Sequence, residues 1–264
     1  MWSNLKNNFG VVMDNRIKIT ICTVLCQLSI LLLIFFGSFN QLMIAIGTYF
    51  FFGIAEQIFF HRLFTHRAWK CSRWLEIIGL YLSSMVFLGS SIFFVALHRY
   101  HHGTSDTDKD PHSPKNLPFW KIQFGGAYFK PLKINLAKDL YKDSIHRFYH
   151  EHYFLLTISS HILVGLIIGW QNFFFGYLPG IGLAIIGAKA INWSNHGKTS
   201  WLRYRNHETC DESVNNWFAG YLGFDGWHNN HHAHPEKKYY GCKWWELDIA
   251  GLVILALEKN SYKG

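Results

Sequence analysis

Four long stretches of the 264-residue chain carry no lysine or arginine. The first covers residues 19–37 and the second about 41–60, with only Ser38-Phe39-Asn40 between them. The third covers about 74–97. The fourth covers about 152–188, and Gln171, Asn172, Pro179 and Gly180 interrupt it. A membrane-spanning helix needs about 20 mainly apolar residues. The pattern therefore predicts two helical hairpins, with spans over residues 19–37, 41–60, 154–169 and 177–191.

The charges that flank these stretches set the topology. Neither hairpin tip, Ser38-Phe39-Asn40 nor residues 170–176, holds a basic residue. Lysine and arginine collect on the cytoplasmic side of a membrane, so both hairpins are expected to enter from there. Residues 74–97 have Arg67, Lys70 and Arg73 on one flank and Arg99 and Lys109 on the other. A crossing helix would put these flanks on opposite faces, and Ser83, Ser84, Gly89, Ser90 and Ser91 dilute its apolar character. A helix lying along the membrane surface is predicted instead. The expected architecture is all-α and integral to the membrane. Four transmembrane helices in two hairpins carry a cytoplasmic helical cap made from residues 98–152 and 193–264, all within one domain over residues 1–264. Polar loop is expected over 103–118, and an amphipathic helix over 132–152. The final apolar run, 247–257, is too short to span.

Composition agrees with a membrane protein. Half the residues are hydrophobic and only 16% are charged, against about 25% in an average soluble domain. The formal net charge of +8 fits the basic cytoplasmic side and its attraction to anionic lipid. An acidic ligand such as a CoA thioester would fit it too, and no nucleic-acid partner is expected. Cys22, Cys26, Cys71, Cys210 and Cys242 show no CxxC spacing, which suits a reducing compartment. Polar residues up to Lys18 precede the first apolar run, so a cleaved signal peptide is not expected.

Sixteen histidines are many for this length, and they cluster. His61 and His66 form an H-x4-H box after the second predicted span. His98, His101 and His102 form an H-x-x-H-H box, and His228, His231 and His232 form another. Helical residues three and four apart share a face. Each of the latter boxes can therefore aim adjacent imidazoles at two metals. Breaking an unactivated methylene C–H bond takes a strong oxidant, which redox metals make from O₂. Soluble di-iron proteins use Glu and Glu-x-x-His for this, whereas these boxes offer imidazole, which also suits iron. The set is too large for a single zinc ion.

At these residues the chain resembles the membrane fatty acid desaturases, most nearly the stearoyl-CoA and acyl-lipid delta-9 type, over about residues 61–246. His61-Arg62-Leu63 opens the first box as in that family. The loop from Ser105 through Asp110-Pro111-His112 resembles the segment after its second box, and Gly226-Trp227-His228-Asn229-Asn230-His231-His232 resembles the third box of its bacterial branch. Asn192-Trp193-Ser194-Asn195-His196 matches the family's N-x-x-x-H motif. The resemblance implies two non-haem iron ions held by the eight box histidines and His196, with Asn192 holding a metal-bound water. It implies O₂ as co-substrate and a cis double bond, at delta-9, placed in a saturated acyl chain on CoA or lipid. No cytochrome b5-like His-Pro-Gly-Gly occurs, so a separate donor is implied, either ferredoxin or cytochrome b5 with its reductase. The expected location is a bacterial inner membrane, or the endoplasmic reticulum in a eukaryote. A di-iron acyl hydroxylase and a non-catalytic metal-binding membrane protein are the competing readings. Where the family has Gly-Glu-Gly before the third box, this chain has Phe224-Asp225-Gly226, so Asp225 is the candidate to orient a liganding imidazole. Of the other histidines, His112 and His234 flank the liganding loops and His161 is expected to be hydrogen-bonded within a span. His146, His150 and His152 are expected at head-group level, and His207 has no assigned role.

Overall fold

The computed structural model describes residues 3–125, 133–196, 202–222 and 225–261. Among the described residues, four helical segments are long and apolar enough to cross a membrane: Arg16–Phe36, Phe39–Thr65, Ser144–Ile168 and Trp170–His196. The first lies in α1 (Ser3–Phe36). The second is α2 (Phe39–Ala55), which continues without a break as the π-helical segment Glu56–Thr65. Ser38 starts α2 with a reciprocal cap: its hydroxyl accepts from the Gln41 N–H, and the Gln41 side chain accepts from the Ser38 N–H at 2.8 Å. This short cap allows α1 and α2 to turn back on each other.

The apolar stretch over 74–97 is not one helix. It divides into α3 (Arg73–Ser84) and α4 (Ser91–Thr104). Between them Phe87 and Gly89 take left-handed backbone angles, φ 51° and 96°, which no helix accommodates. Phe87 is held in that conformation by stacking on His161 at 4.7 Å. Ser90 then caps α4 by accepting from the Phe93 N–H. Neither piece, 12 and 14 residues long, can cross a bilayer, and α4 runs on through the second histidine box.

After α5 (Phe119–Gln123), the amphipathic stretch expected over 132–152 is also divided. It holds a 3₁₀ turn (Ile134–Ala137) and α6 (Lys138–Lys142), and its second half belongs to α7 (Ser144–Ile168); residue 132 lies outside the described residues. Asp143 makes the division, because its carboxylate caps the N–H groups of Ile145 and His146. The second hairpin turns at Gly169, with φ 82°, and not over 170–176. Gln171 and Asn172 lie in α8 (Trp170–Asn172), which passes through the π-helical segment Phe173–Tyr177 into α9 (Leu178–His196). The π turn lies just before Pro179, which lacks the N–H a continuous α ladder needs. The basic-free run ends at Ala188, but α9 continues past it, so Lys189 lies inside a spanning helix.

Packing centres on α9, which lies against both α1 and α2. Gly182 and Gly180 allow the close approach. A Cβ on Gly182 would lie 2.2 Å from the Cys26 carbonyl oxygen, and one on Gly180 would lie 2.6 Å from that of Ala45. Small residues at such crossings are how apolar helices meet in lipid. The remaining elements form the cap: a two-residue antiparallel pair, β1 (Arg203–Tyr204) with β2 (Asn215–Asn216), then α10 (Trp217–Leu222), α11 (His228–Ala233) and α12 (Ile249–Ser261).

One ion pair ties the cap to the first histidine box. Arg62 meets Asp248 with two hydrogen bonds of 2.7 and 2.9 Å, and their side chains are 0% and 1% exposed. Arg62 also donates to the Lys238 carbonyl and stacks over Tyr240. Asp248 accepts from the N–H groups of Tyr240 and Gly251, which caps α12. Removing one partner of such a pair strands a buried charge, at a cost of about 3–5 kcal/mol. Asp248→Ala should lower the melting temperature of the detergent-solubilised protein by many degrees, and an unchanged melting curve would contradict this role.

Candidate metal centre

Nine histidines converge between the helical bundle and the cap, in two groups. One group holds His61, His66, His98, His102 and His231; the other holds His101, His196, His228 and His232. Within each group the nearest nitrogens all lie within 4.8 Å of one another. They are the nine histidines singled out in the sequence.

Local structure explains the sorting. On an α-helix His61 and His66 would point well apart, because five residues make about 1.4 turns. The π-helical winding of Glu56–Thr65 adds a residue to each turn, and the His66 N–H bonds to the His61 carbonyl at 3.2 Å. The two rings come to 4.8 Å. On α4, His98 and His102 are four residues apart and share one group, while His101 turns to the other. On α11 the roles reverse: His228 and His232 share the second group, and His231 joins the first. His196 ends α9 and reaches the second group. Each H-x-x-H-H box thus serves both groups.

In the five-histidine group, four Nε2 atoms form a closed ring of contacts. His61 to His98 is 3.0 Å, His98 to His102 is 3.1 Å, His102 to His231 is 2.9 Å and His231 to His61 is 3.2 Å. A square of that edge would have its centre about 2.2 Å from each corner, close to the length of a metal–imidazole bond. His66 Nε2 is buried with no hydrogen-bond partner among the described residues, as a fifth ligand would be.

The second group carries a carboxylate behind every ring. Asp110, Asp106 and Asp225 accept from the Nδ1 atoms of His101, His196 and His228 at 2.9, 2.8 and 2.8 Å, and Asp211 pairs with His232 at 2.5 Å. Such partners fix the proton on Nδ1 and turn the Nε2 lone pair inward. With the proton on Nδ1 of each, the Nε2 atoms of His196 and His228 face each other at 3.0 Å as two lone pairs, while among the described residues His101 Nε2 and His232 Nε2 have no hydrogen-bond partner. Lone pairs held together in a buried space repel unless a cation lies between them. The residues fit a metal ion in each group. In the first group, Gln57 plays the carboxylate's part by accepting from His61 Nδ1 at 2.9 Å.

Electrostatics points the same way. Burial, reinforced by neighbouring imidazoles, holds His98, His102, His231 and His232 well below the ordinary histidine value. His66 is pushed down to about 3 by burial, then by the Arg99 and Arg62 charges. These rings stay neutral, the form that binds metal. Burial works to raise the supporting carboxyls, but their partners outweigh it. Asp110 is held below its usual range by His101, Asp106 by His196 and the Glu212 N–H, and Asp211 by His232, Ser213 and Thr209.

A cavity of about 70 Å³ opens beside both groups, touching His61 and His98 of the first and His228 of the second. Asn192 lines it, four residues and about one turn before His196. Leu88, Phe94, Leu97 and Ile122 supply an apolar wall. Asp225, the carboxylate before the third box, is hydrogen-bonded to His228; Phe224 lies outside the described residues.

Other histidines have structural partners. His161 bonds the Met85 carbonyl, as expected. His146 and His150 bond Ser91 and Ser90, and His152 bonds the Phe148 carbonyl. His112 lies beside His101 and lines the cavity, whereas His234 lies against His207 and outside both groups. Asp106, Asp110, Asp211 and Gln57 went unrecognised in the sequence. The signal for the first two was carboxylates spaced four apart in the loop after the second box.

A model of the fatty acid desaturase family matches residues 25–258. The chain is 31% identical over 211 residues to the sn-1 stearoyl-lipid 9-desaturase of Anabaena variabilis, covering 78% of this chain and 76% of that protein. It is 31% identical over 207 residues to the Synechocystis sn-1 stearoyl-lipid 9-desaturase, covering 76% and 64%. It is 32% identical over 209 residues to the icosanoyl-CoA 5-desaturase of Limnanthes douglasii, covering 75% and 57%.

Two outcomes follow from the site. Loss of a carboxylate behind a liganding imidazole typically costs about 10–100-fold in metal affinity. Asp225→Asn should release metal from the second group and leave the first loaded, halving the metal content by elemental analysis; full retention would rule out this role. In metal-free protein, the buried histidines take up protons on unfolding but not in the fold. The stability they confer is full above about pH 6.5 and is lost as pH falls toward about 3, the value for His66. Melting of the metal-free protein in detergent should fall steadily from about pH 7 to about pH 5; a flat profile would contradict buried, neutral imidazoles.

Proposed function

Because the chain belongs to the fatty acid desaturase family, we propose that it is an O₂-dependent fatty acyl desaturase that places a cis double bond, at delta-9, in a saturated chain. The observation that carries this is the pair of histidine groups with their Nε2 atoms facing inward beside one cavity. His61, His66, His98, His102 and His231 would hold one iron, and His101, His196, His228 and His232 the other, with Asn192 holding a water on the metal side. Bound iron would supply the one-electron chemistry that couples O₂ reduction to C–H cleavage. Overall, R–CH₂–CH₂–R′, O₂, two electrons and two protons give R–CH=CH–R′ and two waters.

This chain's own groups do the rest. Asp106, Asp110, Asp211 and Asp225 keep the proton on Nδ1 of their histidines, so the opposite nitrogen stays available. The apolar wall of Leu88, Phe94, Leu97 and Ile122 takes the methylenes out of water and keeps water from the reacting carbons. Arg62 and Asp248 keep the cap seated on the first box. The basic flanks suggest that both groups face the cytoplasm, where ferredoxin or cytochrome b5 would supply electrons. An acidic donor would be steered to that side. The relatives' names include acyl-lipid and acyl-CoA desaturases, and the carrier here is one of these.

The test is the lipid profile of a host expressing the chain with a matched electron donor. Mass spectrometry should find new monoenes, with the double bond at one position. Purified enzyme offered stearoyl-CoA and stearoyl phospholipid separately would identify the carrier. His101→Ala should reduce product below detection while the protein still inserts in the membrane. Hydroxy acids in place of monoenes, or no change in lipid, would overturn the proposal.

A further inference from the structure

His207 and His234 stand outside both histidine groups, and a thiol lies beside them. Cys242 Sγ is 3.5 Å from His207 Nε2, and the His207 and His234 rings meet edge to face at 5.0 Å. The three residues come from separate parts of the cap. His207 follows β1, His234 follows α11, and Cys242 precedes α12. The two imidazoles are half-buried and the thiol is exposed.

Each of the three is held at its backbone. Asn229, fully buried, accepts from the His207 N–H at 2.9 Å and donates to the His207 carbonyl at 3.0 Å. Glu246, 1% exposed, accepts from the Cys242 N–H at 2.6 Å and from the Asn206 side-chain amide at 2.7 Å. One carboxylate thus fastens the thiol segment to the residue before His207. The His234 N–H donates to the carbonyls of Asn230 and His231, which ties it to the end of α11.

The chemistry of the three donors selects their ligand. A thiol with two imidazoles suits zinc, and it offers magnesium or calcium none of the oxygens they take. Zinc bonds of about 2.3 Å to sulfur and about 2.0–2.1 Å to nitrogen, at a tetrahedral angle, put the two atoms about 3.6 Å apart. Cys242 and His207 have nearly that separation. Burial, then the neighbouring His234 and Lys237, holds His207 below the ordinary histidine value, so its ring is neutral, the form that binds metal. The His234 side chain is 38% exposed, which leaves its ring room to turn onto an ion, and Glu236 lies 3.6 Å from its Nδ1.

We propose that Cys242, His207 and His234 form a third metal site, on the surface of the cap, that takes zinc. Water or the Glu236 carboxylate supplies the fourth ligand, and the thiol gives up its proton to solvent as the ion binds. The ion fastens three segments of the cap together. Through the main chain of His207 it also bears on Asn229, which lies between His228 and His231 on α11. The site is open to solvent, so its zinc exchanges while the buried histidine groups keep their own metal. None of this depends on the reaction the enzyme carries out.

The test uses cobalt(II), a spectroscopic stand-in for zinc. A cobalt–thiolate bond absorbs by charge transfer from sulfur, and the nine clustered histidines have no sulfur to give that band. Purified full chain with iron in its histidine groups is titrated with cobalt(II) and then with zinc(II). The first equivalent of cobalt should raise the band, and zinc should abolish it. Cys242→Ser should show no band at unchanged iron content, whereas Cys210→Ser should keep it. His207→Ala and His234→Ala should each weaken binding about tenfold or more. A second measurement needs no variant: zinc at ten times its dissociation constant should slow alkylation of Cys242 by iodoacetamide about tenfold and leave Cys210 unaffected, as read by peptide mass spectrometry. Absence of the band in wild type would overturn the proposal. So would a band that survives in Cys242→Ser, or one that both histidine variants keep at full affinity, the result expected of a thiol acting by itself. Equal alkylation of Cys242 with and without zinc would overturn it too.

Discussion

Nine imidazoles share one space between the helical bundle and the cap, and each needs a chosen nitrogen turned inward. An imidazole left alone can place its proton on either nitrogen. In the second group a carboxylate behind each ring decides the matter, and the choice leaves two lone pairs 3.0 Å apart at His196 and His228. The fold keeps this electrostatic tension in place, and a cation is what relieves it. The carboxylates need their own support, which comes from backbone N–H groups such as those of His112 and Glu212. The polar loops of the cap are therefore as constrained as its helices.

The helical bundle supplies the rigidity. Glycines 180 and 182 bring α9 against its neighbours closely enough to fix where His196 ends up. The π-helical end of α2 turns His61 and His66 to one face, and the left-handed break at Phe87 and Gly89 lets α4 point its box at the same space. The buried Arg62–Asp248 pair then joins the first box to the segment that follows the third. Ligand position, supporting hydrogen bonds and cap attachment form one connected system, so damage at Asp248 and damage at Asp225 reach the same site by different routes.

Much of this was legible in the chain. Long runs free of lysine and arginine mark the spans, because burial of charge in lipid leaves a strong and continuous trace. The H-x-x-H-H boxes are readable because spacings of three and four match the α-helix. The H-x4-H box is readable as a motif but not as a shared face, since five residues share a face only where the helix widens. The break inside residues 74–97 depends on two left-handed residues, one of them Phe87, whose conformation is set by a ring from α7 and not by local preference. Lys189 ends the charge-free run yet falls within the predicted span 177–191, and α9 carries it inside a helix that runs on to His196. Asp106, Asp110 and Asp211 lie in loops, where no period gives their direction.

The two histidine groups also have an order in time. The first draws on residues as far apart as His61 and His231, and the second on His101 through His232. Neither is complete until nearly nine-tenths of the chain has been synthesised, when all four spanning segments have left the ribosome. Metal capture at these groups, as proposed, would therefore be a late event of biogenesis. It would fasten the segment that carries the third box to the helix that carries the first. A cell short of the metal would then accumulate chains with unfastened caps.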